Sequence, residues 1–171
     1  AVAPREMLGF APWGTLEEFL PIWQYMASTA PVADWSEVQP ITRWLAEAGR
    51  HLREDDVTAL SRRLAARVLD WFGGADVWVT PTVPVWAPPI GAFRGLPPAE
   101  GFAGAARLGP FTALFNLTGQ PAANIPAGIS RGGLPIGVQI VARPFADALV
   151  LSLSRAPEEA MPWKDTRPPR T

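Results

Sequence analysis

Between Phe111 and Phe145, in FTALFNLTGQPAANIPAGISRGGLPIGVQIVARPF, prolines and glycines cut an apolar chain into short pieces, and that punctuation limits what each piece can form. Phe111, Leu114, Phe115 and Leu117 fall at helical spacing and stop at Gly119, a residue able to take the left-handed position beyond a helix end. Pro121 forbids continuation. Ala122 to Ile125 is apolar, closed by Pro126 and too brief for a helix, so a buried strand is predicted there. Gly132 and Gly133 supply the positive φ of a tight connection, and Ile136 to Ala142 runs apolar with β-branched Val138, Ile140 and Val141. The prediction is helix, strand, turn, strand.

The flanks read as support. Ala1 to Gly14 is polar and broken by prolines, hence irregular. Thr15 and Glu18 have the capping-box spacing ahead of Leu16, Phe19, Leu20, Trp23 and Met26, but Pro21 predicts a kink or a helix that starts only there. After a connection over Ala30 to Gln39, Pro40 suits the first turn of a second helix with Ile41, Trp44, Leu45 and Ala48 on one stripe and Gly49 at its end. From Glu54, the recurrence of Val57, Leu60, Leu64, Val68, Trp71 and Phe72 predicts the strongest helix, with Glu54, Asp55 and Asp56 favoured at its positive end and Gly73-Gly74 closing it. Asp76 to Thr80 follows as a buried strand, and Val85 to Pro98 as a long extended loop. Pro97 to Pro110 is expected to continue irregularly. Ala146, Leu149, Val150 and Leu153 predict a closing helix that ends near Arg155, ahead of Pro157, with Trp163 packing back and Arg167 to Thr171 fraying. The organisation expected is a helical segment over 1–74, a core over 75–145 and a C-terminal helix and tail over 146–171, all one partial domain.

Composition narrows the function classes. A hydrophobic share of 48% against 18% charged residues places the chain among globular proteins, and a net charge of -1 gives no attraction to nucleic acid or an anionic membrane. With no cysteine and a single histidine, His51, there is no disulfide framework, thiolate nucleophile or two-histidine metal site. No apolar run approaches a membrane span and Ala1 to Gly14 lacks the pattern of a signal peptide, so a cytoplasmic protein is expected. Scattered Asp34, Asp70, Asp76 and Asp147 do not pair as two catalytic carboxylates, and Gly128 to Gly133 lacks the lysine of a phosphate loop. Eight tryptophans and twenty prolines are many for 171 residues, which points to a chain that leans on further protein surface.

Four blocks in order carry a family resemblance: DVWVTPTVPVWAPPIG from Asp76 to Gly91, FNLTGQPAANIPAG, GLPIGVQIVARPF, and Pro162-Trp163. Together they resemble the C-terminal portion of the amidase signature family, serine hydrolases that cleave amide C–N bonds. The resemblance covers Asp76 to Pro169 well and Leu16 to Phe72 more loosely. It implies an α/β fold, part of a mixed sheet flanked by helices and incomplete on its own. The family's chemistry uses a serine nucleophile, a second serine and a deprotonated lysine, with backbone N–H groups holding the oxyanion, because a hydroxyl attacks only once a base takes its proton. No residue here matches that triad. The one lysine, Lys164, stands in a charged tail, and Ser28, Ser36, Ser61, Ser130, Ser152 and Ser154 include no adjacent pair.

No catalytic residue and no metal or organic cofactor is therefore assigned. By resemblance, Thr82, Trp86, Phe111, Phe115 and Asn116 are candidates for lining the substrate cleft, beside an ordinary structural reading in which the aromatics are core and the asparagine is a helix cap. Arg143 is expected to pin the ends of the central strand. The implied partners are a small-molecule amide and the missing N-terminal half of the same enzyme, with a homo-oligomer left open and neither nucleic acid nor membrane expected. Two other readings stand: a non-enzymatic shortened relative or interaction module, and a subunit of a tRNA-dependent amidotransferase. The last ranks lower, since Leu108-Gly109-Pro110 occupies the position of that subunit's substrate-binding aspartate.

Overall fold

The computed structural model describes residues 16–163. In chain order it runs α1 (Leu16–Ser28), α2 (Pro40–Gly49), α3 (Glu54–Phe72), β1 (Val77–Pro81), α4 (Pro98–Ala106), α5 (Ala113–Thr118), β2 (Ala122–Ile129), β3 (Pro135–Ala142) and α6 (Asp147–Ala160). The strands form one antiparallel sheet in the order β1-β3-β2. Val77 pairs with Ala142 on one side of β3 and Ala122 with Val141 on the other.

Strand alternation sets the layers. Trp78 and Val141 face α3 and α5, where Leu64, Val68, Phe72, Leu114 and Phe115 complete the core together with Phe19 of α1. Ile140 and Ala142 point the other way and are also buried, and α6 packs over β2 and β3 with Val150 inside. From Gln139 to Ala142 the central strand is thus covered on both faces, while Pro135 and Ile136 at its start are exposed. Arg143, just beyond it, donates to the carbonyl of Gly73 and lies 5.6 Å from the centre of the Phe72 ring, tying the end of β3 to the end of α3.

α1 runs from Leu16 through Pro21, so it does not start there. Four further expectations are corrected. β2 does not stop at Pro126: a bulge between Pro126 and Gly128, the latter at φ 137, carries the strand on to Ile129. Pro126 is tolerated because β2 is an outer strand. α4 forms inside the stretch expected to be irregular. Its glycines are close-approach positions rather than breaks, since a Cβ at Gly101 would lie 3.1 Å from Ile41 Cδ1 and one at Gly104 only 2.7 Å from Phe93 Cε1. Phe102 of α4 then packs edge-on against Trp23 and tilted against Trp44, closing α1, α2 and α4 on one another. Finally, α6 passes Pro157 to reach Ala160, and Trp163 is 46% exposed rather than packed. The expected irregular Ala1 to Gly14, the Thr15 cap, Lys164 and the fraying tail lie outside the described residues.

Much apolar surface stays uncovered. On the α6 side of the sheet Val79 is 63% exposed, and Trp86, Ile90, Ile129, Phe145 and Leu151 are exposed as well. Among the described residues each outer strand has one unpaired edge.

Candidate functional site

A concavity of about 360 Å³ opens on the α5 side of the sheet, lined by Thr82, Thr112, Phe115, Asn116, Gln120, Ala122, Ala123, Asn124 and Gln139. Four elements build it: the chain leaving β1, the start of β2, Gln139 of β3, and α5 above them. Thr82 continues the β1 register, its N–H donating to the carbonyl of Gly137 at 3.1 Å. Its hydroxyl donates to Oδ1 of Asn124, spanning β3 between them. The span is open because position 137 has no side chain: a Cβ there would lie 2.6 Å from Asn124 Oδ1 and 2.8 Å from Thr82 Oγ1.

Two glutamines hold the other walls. Gln139, 5% exposed, donates from Nε2 to Thr80 Oγ1 at 3.1 Å and to the carbonyl of Phe111 at 3.3 Å, joining β3 to β1 and to the approach of α5. Gln120 donates to the carbonyl of Ala142 at 2.7 Å and accepts from Thr118 Oγ1 at 2.9 Å, locking the turn between α5 and β2. Gly119 makes that turn at φ 67. Such buried amides rigidify a site because each is bonded.

Of the residues singled out from the sequence, Thr82, Phe115 and Asn116 line this cleft, while Trp86 stands 61% exposed on the loop beyond it. Phe111 contributes a backbone carbonyl to Gln139 and is not among the lining side chains. Thr112, Gln120, Asn124 and Gln139 were not anticipated. No lining residue is charged, and none is a serine. The serines lie elsewhere: Ser28 and Ser154 donate to the carbonyls of Tyr25 and Val150, and Ser130 accepts from the N–H of Leu134 in the β2–β3 turn. Among the described residues no group of three or more histidines or carboxylates is placed to hold a metal, and no helix is long and apolar enough to cross a membrane.

The amidase family model matches residues 30–151, which spans the second helix, the whole sheet and the start of α6. The chain belongs to the amidase family. A Mycobacterium tuberculosis protein named AmiB2 and designated an amidase is 34% identical over 130 residues, 74% of this chain but 28% of its own length. The 6-aminohexanoate-cyclic-dimer hydrolase of Pseudomonas sp. strain NK87 is 40% identical over 106 residues, and a solved structure of an enzyme of that name superposes with TM-score 0.77 and 27% identity. That superposition covers 98% of this chain and 39% of the enzyme. One subunit of the glutamyl-tRNA(Gln) amidotransferase of Neisseria meningitidis is 38% identical over 97 residues, 57% of this chain and 19% of its own length. The chain therefore spans well under half of the amidases it matches, and its α/β fold corresponds to a part of theirs.

Proposed function

We propose that this chain is the C-terminal, non-catalytic portion of an amidase, forming one wall of the cleft in which a carboxamide is hydrolysed to carboxylate and amine or ammonia. The observation that carries the reading is the cleft itself: a neutral, hydrogen-bonding concavity with no serine and no lysine among its lining residues. Nucleophilic attack on an amide needs a hydroxyl beside a base, with donors aimed at the developing oxyanion. The six serines and single lysine of this chain make no such group by spacing, so the nucleophile belongs to a preceding portion of the enzyme. The exposed apolar residues and unpaired strand edges are the surfaces that portion covers.

The test is an assay on simple aliphatic and aryl amides, with the chain alone and with the complementary N-terminal portion of a related amidase co-expressed. Activity only in the combined sample is expected. Turnover by this chain alone, abolished by a serine-directed inhibitor, overturns the reading.

The amidotransferase relative supports a second reading, in which the chain serves an enzyme that acts on a tRNA-linked substrate. Ammonia-dependent amidation of a misacylated tRNA by the combined sample, without hydrolysis of free amides, would select it. An interaction module without activity is selected if no reading frame for the serine and lysine residues accompanies this one.

A further inference from the structure

Among the described residues, Phe145 is the one residue other than glycine at positive φ, 67°, and it is 98% exposed. The turn it sits in accounts for the angle. The N–H of Ala146 donates to the carbonyl of Arg143 at 3.1 Å, with Pro144 and Phe145 between them. A proline followed by a left-handed residue fits the type II form, whose third position suits glycine or asparagine because a bulkier residue crowds the following carbonyl. Both ends of the turn are fixed. Arg143 is bonded to the carbonyl of Gly73 and packs on the Phe72 ring, and the carbonyl of Ala146 accepts from the N–H groups of Leu149 and Val150 as α6 begins. An aromatic residue here strains the backbone and also leaves a large apolar group in water. So exposed a ring gains almost nothing from packing within this chain.

A held backbone under a free ring is what a pre-organised anchor needs, since little further ordering is required when a partner arrives. We propose that Phe145 is an anchor residue that enters an apolar socket on the preceding portion of the amidase and fixes how the two portions sit together. The proposal rests on the reading of this chain as one portion of an amidase, and adds the point at which the portions lock. An occupant of that kind is available in this fold: the chain covers 39% of the superposed cyclic-dimer hydrolase, which leaves more than half of such an enzyme to supply the socket. α6, into which the turn leads, adds exposed Leu149, Leu151 and Leu153 to the apolar surface that portion would cover. A second copy of this chain is the poorer occupant, because the cleft it offers is lined mainly by hydroxyl and carboxamide side chains.

The test co-expresses this chain with the N-terminal portion of a related amidase and reads the apparent Kd of the co-purified pair in a dilution series. Phe145→Asn suits the turn and removes the ring. It is expected to leave the thermal midpoint of the chain alone unchanged or higher, while weakening the pair at least ~10-fold. Phe145→Tyr keeps the ring and should stay within about threefold of wild type. A lowered midpoint in Phe145→Asn would mean that the ring packs within this chain, and would overturn the proposal. An unchanged Kd in that variant overturns it too, while the two-portion reading stands. If wild type forms no pair, both fall. Ile90→Asn, at an equally exposed site on the loop after β1, controls for general loss of apolar surface, and an equal weakening there overturns the assignment to Phe145. Self-association of the chain alone that Phe145→Asn abolishes would make a second copy the occupant, and would likewise overturn it.

Discussion

Thr82 and Asn124, on the two strands that flank β3, meet by a hydrogen bond over the bare Cα of Gly137. Gly137 is not at positive φ, so its lack of a side chain serves space rather than backbone conformation. Gly137→Ala puts a methyl carbon 2.6 Å from one partner and 2.8 Å from the other, which parts them. The expected result is a loss of about 1–3 kcal/mol in urea unfolding, typical of overpacking.

A second long-range tie joins α1 to α3. Arg67 donates to both carboxylate oxygens of Glu18, each at 3.1 Å, with the pair about one-third exposed. The fork geometry favours the bond, yet solvent screens it. In a double-mutant cycle of Glu18→Gln and Arg67→Gln, the coupling energy is expected at no more than about 1 kcal/mol. Arg67→Gln alone should cost less than a core truncation, because the arginine Nε is buried without a partner and its removal relieves that.

In the link between α1 and α2, the hydroxyl and N–H of Ser36 hold the Asp34 carboxyl below its ordinary pKa of 3.8, the N–H donating to Oδ1 at 2.7 Å. A depressed folded pKa gives stability that is present above the unfolded value and lost as pH falls through the folded one. Wild type should therefore exceed Asp34→Asn in stability above about pH 4 by a margin that vanishes in more acid solution. A carboxyl-carbon NMR titration gives the direct check: Ser36→Ala should move the Asp34 midpoint upward.

The helix, strand, turn, strand order of the central stretch was legible because each break is covalent: Gly119 closes α5 and the β2–β3 turn falls at Gly133. α3 was legible for a different reason, since Val57, Leu64, Val68 and Phe72 repeat at the period of a helix and are the residues it buries. α4 was hidden. Its sequence carries glycines in place of a large apolar stripe, and only the approach of Ile41 and Phe93 explains them. The cleft was legible where it is local, at Thr82, Phe115 and Asn116, and hidden where strand register makes it: Asn124 stands opposite Gln139 only once β2 and β3 pair. Gln139, a carboxamide inside an apolar strand run, was the available signal, because a buried polar group needs a partner.

Pro157 presents the opposite case, a residue whose local rule lost. Its ring should end α6, yet the helix continues to Ala160 and the N–H of Met161 donates to the carbonyl of Pro157 at 2.9 Å. Glu158, Glu159 and Ala160 are exposed, and the missing N–H removes the helical donor to the carbonyl one turn earlier. The exposed Arg155 to Glu159 contact spans the proline and contributes roughly 0.2–0.5 kcal/mol. Restoring the donor should then be a net gain. Pro157→Ala is expected to raise the unfolding free energy by up to about 1–3 kcal/mol and increase helical circular dichroism. Unchanged or lower stability would mean that the proline's restriction of the unfolded chain outweighs the hydrogen bond it removes.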